Sequence, residues 1–82
     1  MILLELYFQE LNQAYDVQLD ENLQVENLIE DLVELISQKE HMATSKNPGF
    51  FLLYDDATKR VVHPKTTLSE NGIRSGQRLI LL

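Results

Sequence analysis

Residues 25–39, Val-Glu-Asn-Leu-Ile-Glu-Asp-Leu-Val-Glu-Leu-Ile-Ser-Gln-Lys, carry the pattern that most constrains this chain. Val25, Leu28, Ile29, Leu32, Val33, Leu35 and Ile36 recur at i, i+3, i+4 and i+7. At ~100° per residue they fill one arc of roughly 160°. Glu26, Asn27, Glu30, Asp31, Glu34, Ser37 and Gln38 fill the opposite arc, and only Lys39 strays. The spacing predicts an amphipathic helix with a wide buried face. Its start is open between two residues: Asn22 is the better N-cap chemically, whereas a cap at Gln24 would let Leu23 and Leu28 form a hydrophobic staple. Early acids and the late Lys39 suit the macrodipole. Such a face must be covered, so the rest of the chain has to supply a sheet or more helices.

The flanking segments read as strands. In residues 2–8, Ile2, Leu4, Leu6 and Phe8 alternate with Leu3, Glu5 and Tyr7, which predicts a strand with the first set inward. Gln9 to Gln13 turns the chain. Residues 14–20 alternate again, with Tyr15, Val17 and Leu19 inward, and two strands so briefly connected should pair antiparallel. After the helix, residues 40–49 read as a surface loop punctuated by Pro48-Gly49. Phe50-Phe51-Leu52-Leu53-Tyr54 is expected as a strand apolar on both faces, with Phe50, Leu52 and Tyr54 inward. Residues 55–60 form a polar hairpin loop and Val61-Val62 a short return, ended by His63-Pro64. Thr67-Leu68-Ser69-Glu70 has capping-box spacing and predicts a single helical or 3₁₀ turn. Gly72 and Gly76 mark turns of positive φ, and Arg78 to Leu82 is the last strand. The order β-β-α-β-β-short turn-β places the chain in the α+β class.

Composition narrows the function. The 82 residues make one domain, residues 1–82. A net charge of −6 with no basic stripe disfavours nucleic acid and anionic membranes. There is no cysteine, hence no disulfide and no thiolate metal site. Met1-Ile2-Leu3-Leu4 lacks a basic region before it and meets Glu5 at once, unlike a signal peptide. No apolar run approaches the ~20 residues that span a bilayer. The expectation is a small, acidic, cytoplasmic domain without direct membrane insertion.

The tail, Thr67-Leu68-Ser69-Glu70-Asn71-Gly72-Ile73 and then Gly76-Gln77-Arg78-Leu79-Ile80-Leu81-Leu82, resembles the C-terminal half of ubiquitin-like β-grasp domains. Two strands followed by a helix opening Val25-Glu26-Asn27-Leu28 resemble the front half. Within that superfamily the chain is most similar to the small YukD/EsaB-type proteins of bacterial type VII (WXG-type) secretion loci. The resemblance implies a mixed sheet of four to five strands packed on one α-helix. It also implies an accessory or regulatory role, with cytoplasmic domains of the secretion machinery as partners. One departure matters: modifiers and sulfur carriers act through a flexible Gly-Gly terminus, whereas Leu79-Ile80-Leu81-Leu82 stands here. A carrier or modifier acting through its C-terminus is therefore the second, disfavoured reading.

Signs of catalysis are sparse. His41 and His63 are the only histidines, and they show no H-x-x-x-H or H-E-x-x-H spacing. Ser37, Ser45, Ser69 and Ser75 lack a nucleophile elbow, and Gly49, Gly72 and Gly76 make no phosphate cradle. No catalytic residue, cofactor or metal ligand is expected. The acidic arc of the helix (Glu26, Glu30, Asp31, Glu34) reads as solvated surface. What stands out is apolar residues on the outer side of the strands: Leu3, Tyr7, Phe51, Leu53, Ile80 and Leu82. The β-grasp resemblance makes the first and last strands central neighbours with the third beside the last, so these six should cluster. A contiguous exposed patch marks an interface, for a protein partner or for a second copy of the chain.

Overall fold

The computed structural model describes residues 1–40 and 48–82; the loop expected at 40–49 therefore lies largely outside the described residues. Strands β1 (Ile2–Phe8), β2 (Gln13–Leu19), β3 (Leu53–Asp55), β4 (Arg60–Val62) and β5 (Arg78–Leu81) form one sheet in the order β2-β1-β5-β3-β4. The single long helix, α1 (Val25–Lys39), covers one face. β1 runs parallel to β5, and every other neighbouring pair is antiparallel. This is the mixed-sheet β-grasp arrangement, with short 3₁₀ turns at Gln9–Leu11, Pro48–Phe50 and Ser69–Asn71.

The helix forms where its apolar spacing requires, and Val25, Leu28, Ile29, Leu32, Val33 and Ile36 are buried. Leu35 is not: at the margin of the stripe it is 55% exposed, so the buried arc is narrower than the sequence suggests. Neither Asn22 nor the side chain of Gln24 caps the helix. Gln24 occupies the cap position with extended backbone and no side-chain bond. The free N–H groups of the first turn go to carbonyls instead. Val25 donates to Thr66 O at 2.8 Å and Glu26 to Pro64 O at 3.0 Å, while Asn27 and Leu28 donate to Gln24 O. Main-chain donors at a helix start must find partners somewhere, and here the segment after β4 supplies them. Leu23 remains half exposed rather than stapled beneath the cap.

The core lies between α1 and the two central strands. Leu4 and Leu6 from β1, Leu79 and Leu81 from β5, and Leu32 from α1 are each 2% exposed or less. The turn before β5 closes this core from one end. Thr67 and Glu70 complete the reciprocal capping box, Thr67 N–H donating to Glu70 Oε1 at 2.9 Å and Glu70 N–H to Thr67 Oγ1 at 3.1 Å. Leu68 and Ile73 then drop into the core. Gly76 enters β5 at φ +90° and donates its N–H to Leu3 O at 2.9 Å. A side chain there would be strained by the backbone alone, because open space surrounds it.

The third strand departs from expectation. Phe51 and Leu53 are buried at 2% and 0%, whereas Phe50 and Leu52 are exposed at 73% and 45%. The pleat is thus one residue out of phase with the sequence reading, and the strand itself is shorter. Asp55 sets the phase. Its carboxylate turns inward and is buried, accepting from Ala57 N–H at 3.0 Å and from the Thr58 hydroxyl at 3.1 Å. With Asp55 inward, Leu53 and Phe51 follow by alternation, and the Phe51 ring meets Phe8 edge-on at 5.6 Å.

Two substitutions separate the phases. Phe51→Ala should destabilise the domain by about 3–5 kcal/mol, the range for a buried phenylalanine, and Phe50→Ala by less than about 1 kcal/mol. Urea unfolding followed by circular dichroism measures both, and the reverse order would restore the other register.

Candidate functional site

With one face of the sheet under α1, the opposite face is open, and the register lines up its outward side chains. Tyr7 lies opposite Ala14 on one side and Ile80 on the other. Ile80 lies opposite Tyr54, and Tyr54 opposite Val61. Ala14, Tyr7, Ile80, Tyr54 and Val61 therefore form one row across all five strands. On one flank, Leu52 and Leu82 pair through both backbone groups, at 3.0 and 2.9 Å. Tyr7, Gln9, Tyr54, Ile80 and Leu82 line a shallow depression of about 390 Å³.

The other flank is a row of charges. Glu5 lies opposite Asp16 and Arg78. Asp56, bonded through its N–H to Arg78 O, follows beyond β5, and Lys59 stands across the hairpin. Arg78 Nε reaches Glu5 Oε1 at 3.1 Å, and its guanidinium also sits over the Tyr7 ring at 5.0 Å. Lys59 Nζ bonds Asp56 Oδ1 at 2.8 Å. That bond, and then the charge of the partner, hold the exposed Asp56 carboxyl below the usual range and the Lys59 ammonium above its own. Asp16 has no ion pair among the described residues.

Of the six residues expected on this face, Tyr7, Ile80 and Leu82 do come together. Phe51 and Leu53 do not, because they belong to the core. Leu3 points outward and is 51% exposed, yet it stands beyond Glu5, nearer Ser75, whose hydroxyl accepts its N–H at 3.2 Å. Tyr54, Leu52 and Val61 take the vacated places. The sequence did hold a signal for them: Asp55 followed by Thr58 suits a side chain that bonds its own turn, and such an aspartate faces inward here. The charge row was invisible without the register.

Among the described residues there is no group of three or more histidine, aspartate or glutamate side chains placed to hold a metal. His63 Nδ1 accepts from Lys65 N–H at 3.1 Å and shapes the turn after β4; His41 lies outside the described residues. A second cleft of about 520 Å³ between α1 and the β3–β4 hairpin has an apolar floor of Ile29, Phe51, Leu53 and Val62. Glu26 on its lip is already paired with Lys65 at 2.9 Å. No described helix is long and apolar enough to cross a membrane.

One polar clasp ties the edge of the sheet to the helix end. Tyr15 on β2 donates its hydroxyl to Glu40 Oε1 at 2.8 Å, and Lys39 Nζ lies 5.0 Å above its ring. Burial, then the bond to Glu40 and the negative charge of that carboxylate, push the phenol up from 10.0 to about 12. A raised folded-state value means that this contribution to stability is intact below the unfolded phenol's 10.0 and is lost as pH climbs to about 12. Tyr15→Phe should remove that share of the alkaline decline. The difference in urea midpoint between wild type and variant, followed across this range, checks it, and a constant difference would refute it.

The family model described as "WXG100 protein secretion system (Wss), protein YukD" matches residues 8–81. No curated protein matches. Among solved structures, the EccD5 ubiquitin-like domain from Mycobacterium xenopi is similar at 19% identity and a TM-score of 0.77, covering 99% of this chain and 91% of that one. A designed protein based on ubiquitin is similar at 22% identity and 0.73, covering 99% and 85%. The ubiquitin-like domain of Plasmodium falciparum Dsk2 is similar at 12% and 0.73, covering 98% and 93%. At these identities the structures support the fold alone.

Proposed function

The chain belongs to the YukD family of the WXG100 protein secretion system, and from that premise we propose that it is a non-enzymatic ubiquitin-like interaction module of such a system. In this reading it acts in the cytoplasm as an accessory or regulatory component, docking on a cytoplasmic domain of the secretion machinery. The docking surface is the open sheet face in its revised form, centred on Tyr7, Tyr54, Ile80, Leu82 and Leu52, with Leu3 outside it. The observation that supports the reading is the unbroken apolar row across five strands. Scattered apolar residues need no explanation, but a contiguous patch on a monomer marks a contact surface. Its two tyrosines match the aromatic content of interface hot spots.

Leu82 is bonded to Leu52 through both its N–H and its carbonyl, which holds this corner of the docking surface to the sheet.

The test uses a host strain that carries the secretion system and lacks this gene. Complementation with Ile80→Asp or Tyr54→Asp should fail to restore export of the small WXG-type substrates, with circular dichroism confirming the fold. A carboxylate stays hydrated on the open face, but in a closed interface it would be desolvated and unpaired, at a cost of roughly 3–5 kcal/mol. Glu30→Lys on the polar arc of α1 should complement normally. Export retained by the sheet variants and lost in Glu30→Lys would move the docking surface to the helix.

A further inference from the structure

Asn71-Gly72 is the chain's one Asn-Gly pair; Asn12, Asn22, Asn27 and Asn47 precede glutamine, leucine, leucine and proline. Before glycine no side chain shields the next backbone nitrogen, which can attack the asparagine carboxamide carbon. A bond from Gly72 N to Asn71 Cγ forms as the Cγ–Nδ2 bond breaks. Ammonia leaves, carrying the proton that Gly72 N gives up. Water then opens the resulting imide at either carbonyl: breaking the bond to Cγ leaves aspartate, and breaking the main-chain bond leaves isoaspartate.

The fold engages both reacting groups. Asn71 closes the 3₁₀ turn Ser69–Asn71, and Gly72 N–H is given to Ser69 O at 3.1 Å. The carboxamide is pinned from the other side, its Nδ2 donating to Thr66 Oγ1 at 2.8 Å and to Thr67 O at 2.7 Å. Attack therefore requires the turn to open. The same two bonds serve the helix. Residues 63–67 form a strap whose carbonyls receive the first N–H groups of α1, Val25 on Thr66 O and Glu26 on Pro64 O. Asn71 ties that strap to the turn before β5, and its place accepts only a donor. The Thr66 hydroxyl already gives its proton to His63 O at 2.7 Å, and Thr67 O has none to give. A carboxylate there would set oxygen against oxygen, next to Glu70, whose own carboxylate accepts from Thr67 N–H at 2.9 Å. Two hydrogen bonds would be lost and repulsion would replace them.

We propose that Asn71 is a modification site gated by the fold: opening of the turn exposes it to hydrolysis through Gly72, and the acid so formed cannot restore the clasp. Water is the only co-reactant. The conversion runs one way, so product accumulates with the time the strap spends open and leaves the start of α1 less firmly held. None of this depends on the open sheet face.

The experiment follows the wild-type chain at mildly alkaline pH, folded in buffer or unfolded in guanidinium chloride. Tryptic cleavage after Lys65 and Arg74 isolates residues 66–74. Mass spectrometry reads the amide-to-acid gain in that peptide, and chromatography separates aspartate from isoaspartate. The folded chain should convert at least roughly tenfold more slowly, since reaction through an opened state scales with its population. Equal rates, or conversion confined to the other asparagines, would overturn the gating. Asn71→Asp and Asn71→Ala test the consequence. Both lose the clasp, but only the aspartate adds a carboxylate, so its urea midpoint at neutral pH should be the lower of the two. That difference should shrink as pH falls toward ~4, where a protonated carboxyl can again donate to Thr67 O. The sign follows from linkage: a group favoured in its protonated form by the fold adds stability below its unfolded value and loses it above. His63, Lys65 and Glu70 in the strap and turn, and Glu26 across from them on α1, are common to both variants and cancel in the difference. Equal midpoints, or a difference that ignores pH, would overturn the clasp.

Discussion

Everything in this molecule hangs on covering one helical stripe with two central strands. Val25, Leu28, Ile29, Leu32, Val33 and Ile36 need an apolar roof, and Leu4, Leu6, Leu79 and Leu81 supply it from β1 and β5. A chain of 82 residues buries only about 60–65% of its unfolded surface and has little stability to spare. There is no room for a second core. The remaining elements are consequently devices that hold those two central strands and the helix in place. The antiparallel partner β2 brings the first strand back, the carbonyls at 64 and 66 secure the start of the helix, and Gly76 lets the last strand enter beside the first.

That architecture leaves one face of the sheet uncovered. The helix is spent on the core, and its outer arc carries Glu30, Asp31 and Glu34, each well hydrated. The inner face of the sheet is buried. The outer face has no such duty, yet it carries Tyr7, Ile80 and Tyr54 in adjacent strands. Stability does not require aromatic and β-branched residues there beyond their strand preference. Alternation alone would have been satisfied by threonine or lysine.

Most of the fold was legible because long periodic segments carry redundant information. The helix is announced by seven spaced residues, and β1 by four apolar residues at every second position, so a single exception such as Leu35 changes a margin and not an element. The turns from Thr67 to Gly76 were legible for a different reason: capping boxes and positive-φ glycines are local chemistry, complete within a few residues. The candidate site was only half legible. Tyr7, Ile80 and Leu82 sit on strands whose phase the sequence states. Residues 50–54 are apolar throughout, so nothing within that run distinguishes inside from outside. The phase came from Asp55, a charged residue that faces inward because its own hairpin supplies its hydrogen bonds. A reading that sends charges outward places it, and the whole strand with it, on the wrong side.

The correction makes the surface more coherent. With Phe51 and Leu53 outside, the sheet would have lost two of its largest core side chains and gained a patch with no order to it. With Tyr54 outside instead, one register line runs aliphatic, aromatic, aliphatic, aromatic, aliphatic from edge to edge, beside a second line of ion-paired charges. An apolar row on a small open sheet is a hazard, since exposed apolar surface invites self-association. Glu5, Arg78, Asp56 and Lys59 stand alongside it as two ion pairs. The apolar row and its charged flank both follow from one strand register, the one in which Asp55 faces inward.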